Sequence, residues 1–155
     1  MPETTASGAA NFIIQHSQAH GDGVSNLKLQ KLLYYAQAWY LALNGKPLFA
    51  EDIEAWVHGP VVPAVYGDFK KYAWNLIPAP QPPISLSAKV SGHIQDVILA
   101  YGHLSAYQLE TLTHTEKPWL KARNGIPNDK VSHAVISHTD MRDFYRSKLK
   151  SDEKD

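Results

Sequence analysis

The segment Asn26–Leu43 constrains this chain more than any other. Leu29, Leu32, Leu33, Ala36, Tyr40 and Leu43 recur at helical spacing and form one continuous apolar stripe. Leu27, Tyr34, Ala38 and Leu41 form a second stripe, with Tyr35 and Trp39 on a further flank. A helix that is apolar on several sides has to be packed on several sides. The predicted architecture is therefore mainly α: a single compact multi-helix domain around a central buried helix at about 26–43. Ser25 or Asn26 is placed to cap it. Asn44-Gly45 supplies a residue able to take a positive φ at its end, and Pro47 follows.

The remaining elements arrange themselves around that post. A first helix is predicted over Ser7–Gln18, ended by Gly21-Asp22-Gly23. Alternation of Phe49, Ile53, Ala55 and Val57 predicts an extended piece, so at most a short β pair near 48–57. Val61 to Trp74 reads as helix, with Val62, Val65, Tyr66, Phe69 and Ala73 inward and Pro63 in its first turn. Pro78-Ala-Pro-Gln-Pro-Pro83 is a stiff connector, or alternatively a ligand for a proline-recognising module. Val90, Ile94, Val97, Ile98 and Tyr101 mark an amphipathic helix. Ser105-Ala-Tyr-Gln108 is a capping box opening a helix with Leu109 and Leu112 inward, and Thr113-His-Thr-Glu116 repeats the pattern before Pro118-Trp119. Met141, Phe144, Tyr145 and Leu149 define a final helix capped by Thr139 or Asp140. One domain over 1–155 is expected, with its core at about 8–149 and flexible ends at 1–6 and 150–155.

Charge and composition exclude several function classes. The chain of 155 residues has no cysteine, which removes disulfides, thiol catalysis and cysteine-type zinc sites and is compatible with a reducing cytoplasm. Lys+Arg and Asp+Glu both count 15, so the basic surplus that a nucleic-acid binder uses to displace counterions is missing. A DNA-binding regulator remains an alternative only through a local patch, Lys28 with Lys31 or Lys70 with Lys71. Zero net charge also removes one guard against self-association, which leaves a homo-oligomer open. No apolar run reaches transmembrane length, and the N-terminus lacks the basic region of a signal peptide. The expected location is the cytoplasm, with no membrane partner.

Eight histidines raise the question of a metal or a catalytic base. His16 and His20 share the i, i+4 spacing of zinc proteases, but no glutamate is adjacent and Gly21 ends the helix there. His133 and His138 are five apart, a spacing that suits neither a helix pair nor a strand face, and His93 and His103 flank one helix. His114-Thr-Glu116 matches half of the zinc deaminase signature, whose other half requires cysteines. Glu116 reads more simply as the capping-box partner of Thr113. His58 is the best acid–base candidate, close to Glu51, Asp52 and Glu54, yet no Gly-x-Ser-x-Gly elbow accompanies it. The competing reading has its ring bonding backbone carbonyls and holding a Gly59-Pro60 turn, with Gly59 the position where a positive φ would make a side chain costly. No phosphate-binding loop is present. No catalytic residue, metal or cofactor is assigned, and a histidine-dependent or metal-assisted hydrolase is the enzyme alternative. Trp39, Trp56, Trp74 and Trp119 lie near element ends or motif turns, where core and contact roles both remain open.

Three motifs occur in order: Leu29-Gln-Lys-Leu-Leu-Tyr-Tyr-Ala-Gln-Ala-Trp39, then Glu54-Ala-Trp-Val-His-Gly-Pro-Val61 with Tyr66, then Leu112-Thr-His-Thr-Glu-Lys-Pro-Trp119 with Ala122-Arg123. Their combination resembles the Panacea antitoxin domain family, which includes SocA-like antitoxins and GepA-type phage-associated proteins. The resemblance spans about Ala10 to Tyr145. It implies a mostly helical, non-catalytic domain that binds and neutralises a toxin protein encoded nearby. In some members this resembles direct inhibition; in SocA-like members it resembles an adaptor delivering the toxin to an ATP-dependent protease. The motif residues Tyr34, Tyr35, Trp39, Trp56, His58, Gly59, Pro60, Val61, Tyr66, His114, Glu116 and Trp119 are the candidates for toxin contact or for the framework that supports it.

Overall fold

The structure, a computed structural model, describes residues 2–80 and 82–154, with side chains through Lys150. Helix α1 (Ala6–Ala19) leads to α2 (Asn26–Asn44), the predicted central post. A hairpin follows, β1 (Glu54–Trp56) and β2 (Gly59–Val61), then α3 (Pro63–Phe69) with a 3-10 turn over Lys70–Tyr72. Beyond the proline connector come α4 (Ala88–Tyr101), α5 (Ala106–His114), α6 (Lys117–Arg123) and α7 (His138–Lys154). Mainly-α architecture around one buried helix is what the apolar stripes of α2 demand. Helices α1, α3, α4, α5, α7 and strand β2 all pack on it, α7 most extensively. None of the helices among the described residues is long and apolar enough to cross a membrane.

Local chemistry sets the ends of α2. The Ser25 hydroxyl accepts from Lys28 N–H, and Gly45 closes the helix in the left-handed region at φ 73°. Its polar residues are as structural as its leucines. Gln37 accepts from Leu48 N–H and Phe49 N–H and donates to Phe49 O. Gln30 accepts from Val62 N–H and donates to Asn26 Oδ1, while Asn26 donates to Tyr66 O. These buried amides supply the backbone partners that irregular chain needs when it is packed inside a domain. They fasten segments 48–49 and 62–66 to the post.

Several expectations are corrected. The β pair extends past residue 57: Val61 belongs to β2 rather than to a helix, with register Glu54–Val61, Ala55–Pro60 and Trp56–Gly59. The tight turn is Val57-His58, and Gly59-Pro60 lies in the strand. The 134–136 segment flanks β1 through Ala55 N–H to Ala134 O and Ile136 N–H to Ile53 O. The helix expected to reach Trp74 stops near Tyr72, because Ala73 adopts φ 53°, ψ −119°, and Ala73 is exposed rather than inward. The capping box at Ser105–Gln108 is present in both its bonds. The second is not: Thr113 lies inside α5 and donates to Glu110 O, and the α6 cap residue Glu116 makes no side-chain capping bond. Ser137, not Thr139 or Asp140, accepts from Asp140 N–H at the start of α7. Leu43, last in the α2 stripe, faces solvent. At the N-terminus, Thr4 N–H donates to Leu48 O and Ala6 N–H to Glu51. Met1 and Asp155, within the ends expected to be loose, lie outside the described residues, as does Gln81 of the connector.

Candidate functional site

The motif residues separate into a buried set and an open face. The buried set centres on Glu116, whose position between α5 and α6 carries its carboxylate beneath α7. Tyr35 Oη donates to Glu116 Oε1 at 2.6 Å, and Tyr145 Oη lies 3.0 Å from the same oxygen and 3.0 Å from Tyr34 Oη. Each hydroxyl has one proton, so with Tyr145 donating to the carboxylate, Tyr34 supplies the proton between the two tyrosines. Lys148 Nζ approaches Oε2 at 3.7 Å from the rim. Burial raises the Glu116 carboxyl above its ordinary range, against the lowering effect of Tyr35, Tyr145 and Lys148. Burial likewise raises Tyr34, Tyr35 and Tyr145. Tyr35 stacks on Tyr101, whose hydroxyl accepts from Trp39 Nε1 at 2.8 Å.

Trp119 is the largest fully buried side chain. Its indole N–H donates to Trp56 O at 2.9 Å, His114 stacks on one side of it, and the Arg123 guanidinium lies 4.8 Å from its ring. Arg123 in turn donates to Ala55 O, Pro127 O and Lys130 O, tying β1 to the loop after α6. Burial lowers the His114 imidazole, opposed chiefly by Glu110. In the half-match to a zinc deaminase, Glu116 is thus buried and bonded to tyrosines, and His114 is half-buried and stacked on Trp119. Among the described residues, no three His, Asp or Glu side chains converge as a metal ion would need.

The open face is built nearer the N-terminal end of α2, about one turn before Tyr34 and Tyr35. His58, at the tip of the hairpin, is 68% exposed through its side chain and sits 2.6 Å from Glu110 Oε1 on α5. The expected bonding of this ring to backbone carbonyls is replaced by that carboxylate pairing. Three contiguous depressions meet at Leu27 and His58. One runs toward Tyr107 and Trp74, one toward Tyr66 and Lys70, one toward Trp56 and Val131. Trp74 is 80% exposed and Tyr107 74% exposed. Tyr66 and Trp56 are half-buried and meet edge to face at 5.1 Å. Trp74 is held out by a turn in which Asn75 N–H donates to Tyr72 O, with Ala73 in a conformation that glycine normally occupies. Strain of that kind, beside an exposed tryptophan and a groove, is typical of functional surfaces.

Gly59, Pro60 and Val61 are buried under this face. Gly59 has φ 105°, and a Cβ there would fall 2.7 Å from Lys31 Cε. Lys31 is itself 1% exposed, so the Lys28–Lys31 surface patch does not exist; Lys28 is partly buried and donates to Gly102 O. Lys70 and Lys71 do stand at the surface. Of the remaining histidines, His16 and His20 stack at 4.2 Å and His93 bonds Ala36 O. Trp74, Tyr107, Lys31 and Glu110 were not singled out as site residues from sequence. Trp74 lacked a periodic partner, which was a usable signal that its helix had ended.

The family comparison is decisive. The model of the family "Antitoxin SocA-like, Panacea domain" matches residues 29–120. Antitoxin SocA of Caulobacter vibrioides (strain NA1000 / CB15N) is 35% identical over 138 residues, covering 77% of this chain and 71% of that protein. This chain belongs to the SocA-like antitoxin family. No solved structure matches it. The matched residues of this Panacea domain take in Lys31, His58, Trp74, Tyr107 and Glu110 of the open face, together with Glu116 and Trp119 of the buried set.

Proposed function

We propose that this antitoxin neutralises a toxin protein by gripping it with the His58-centred face, acting as a binding body and transforming no molecule. The observation that carries this reading is the concentration of exposed Trp74 and Tyr107 around the depressions that meet at Leu27 and His58. Trp and Tyr are the side chains that most often dominate binding energy at protein interfaces. Among the motif candidates, His58, Trp56 and Tyr66 contribute to the contact, whereas Tyr34, Tyr35, Gly59, Pro60, Val61, His114, Glu116 and Trp119 support it from below. Trp39, partly covered and bonded to Tyr101, belongs with the support. The setting is the cytoplasm.

The test is co-expression with the product of the adjacent open reading frame in a host that this product arrests. Wild-type chain should restore growth, and the Trp74→Ala/Tyr107→Ala double variant should not, at equal soluble level and unchanged Tm. Loss of about 2 kcal/mol or more of binding is expected for such anchors. Full protection by the double variant would place the interface elsewhere. The same cultures separate direct inhibition from delivery to an ATP-dependent protease: the toxin accumulates as a complex in the first mode and disappears in the second.

A further inference from the structure

The depression bounded by the start of α2, the hairpin tip, Trp74 and α5 has a volume of about 310 Å³ and chiefly apolar walls, among them Leu27, Trp74 and Tyr107. Lys31 also lines it, and the fold leaves that side chain under-used. An ammonium has three N–H donors. Lys31 Nζ has Pro60 O at 3.2 Å as its hydrogen-bond partner. Glu110, the opposite charge that acts on it, is engaged by His58 at 2.6 Å and reaches Lys31 only at longer range. A dehydrated amine beside an apolar depression, with its carboxylate neighbour already paired, is arranged to receive an acceptor from outside. Burial bringing the Lys31 amine down to about 7, against the raising effect of Glu110, is consistent with a missing counter-charge.

We propose that this depression is a socket for an acidic side chain of the bound toxin, whose carboxylate pairs with Lys31 Nζ while an adjoining apolar group rests between Trp74 and Tyr107. The proposal rests on the toxin-binding reading of this face. Charge balance favours it: Glu110 is already engaged by His58 at 2.6 Å, and the incoming carboxylate meets the Lys31 charge. The lysine is already out of water in the free protein, so its own dehydration is not a cost of binding. A charge-assisted bond in such surroundings is stronger than one between neutral groups.

The experiment titrates the full chain, labelled with nitrogen-15, with 3-phenylpropionate and with its neutral amide. The acid should bind about tenfold tighter than the amide, with backbone shifts clustered at Leu27, His58 and Tyr107. Lys31→Met should equalise the two probes. Glu110→Gln, which removes the resident negative charge, should widen the acid's advantage and keeps the proposal testable if the Lys31 variant does not fold. Equal binding of both probes by the wild type would overturn the socket. So would an acid preference that survives Lys31→Met, or shifts clustered on another face. Because no toxin enters the titration, the outcomes separate. Equal probes with neutralisation still dependent on Trp74 sink the carboxylate socket alone. Acid preference with neutralisation indifferent to Trp74 sinks the toxin as its source.

Discussion

Successive turns of α2 serve a sealed side and an open side of the domain, and put similar residue types to opposite use there. On one side Tyr34 and Tyr35 point into a sealed network with Tyr145 and Glu116. On the other, one turn earlier, Lys31 lines an open depression beside His58, Trp74 and Tyr107. The sealed side is rich in the groups that look reactive in a sequence, a carboxylate with tyrosines and a histidine beside a tryptophan. Glu116 and its tyrosines are bonded to one another and hidden, and His114 is half-buried against Trp119. The open side looks bland in sequence, yet it carries the exposed aromatics and the incompletely bonded cation. In this chain most motif residues lie beneath the open face, while His58, Trp56 and Tyr66 share its surface with neighbouring Trp74 and Tyr107.

The largest effects should come from the sealed side. Trp119→Ala removes a fully buried indole together with its bond to Trp56 O and its contacts with His114 and Arg123. A loss of about 3–5 kcal/mol is expected in denaturant unfolding. Glu116→Ala strips the acceptor from Tyr35 and Tyr145, at about 1–3 kcal/mol for each hydroxyl left without a partner. Glu116→Gln retains an acceptor oxygen without the buried charge and should cost much less. Equal losses for the Ala and Gln variants would mean that the carboxylate charge, not its hydrogen bonding, holds α7 to the post. Trp74→Ala, by contrast, should leave unfolding unchanged within about 0.5 kcal/mol, as exposed positions do.

Lys31, on the open side, gives the comparison a pH axis. Its folded pKa of about 7 lies below the ordinary lysine value. Between those two values the unfolded chain holds the proton and the folded chain does not, so wild-type stability rises as pH climbs through that window. Below about 7 both states are protonated and the buried charge is least tolerated. Lys31→Met should therefore be the more stable protein at pH 6–7. Its advantage should shrink by about 1.4 kcal/mol per pH unit through the window. Parallel stability profiles for the two proteins from neutral to alkaline pH would show that the amine does not titrate with folding.

Gly59 comes next in size. At φ 105°, with Lys31 Cε 2.7 Å and Thr113 Oγ1 3.0 Å from where a Cβ would sit, Gly59→Ala combines backbone strain with displacement of the lysine. A loss of about 1–3 kcal/mol is expected. Because the lysine must move, the affinity for the carboxylate probe should fall with it. Destabilisation with unaltered probe binding would separate the turn from the socket.

What was legible beforehand follows from locality. Stripes on α2 predicted the post, and the capping box at Ser105 predicted the start of α5, because both depend on residues within a few positions of one another. The Gly59 conformation was legible for the same reason. Glu116 was misread because its true partners, Tyr35 and Tyr145, are far away in sequence, whereas Thr113 was close and fitted a local rule. Lys31 was misread because a lysine on a helix is normally solvated, and nothing nearby in sequence reveals that Gly59-Pro60 folds over it. Trp74, left open between core and contact, and Tyr107, not singled out, escaped assignment for a different reason. Periodicity identifies what is buried, and a side chain left outside has no period to obey.

Ala73 tests whether the open face is held open by strain. Its φ of 53° and ψ of −119° suit the first central position of a type II′ turn, where glycine is the preferred residue. Ala73→Gly would relieve a strain on the order of 1–3 kcal/mol, partly offset by about 0.4–1 kcal/mol of added unfolded-chain entropy. The net result should be a small rise in Tm. If the strained turn serves to hold Trp74 outward, the relaxed variant samples more orientations of that indole. Neutralisation in the co-expression assay should then weaken although the protein is more stable. A gain of stability with undiminished neutralisation would make the alanine an incidental strain, and would shift the weight of the open face from Trp74 to Tyr107 and His58.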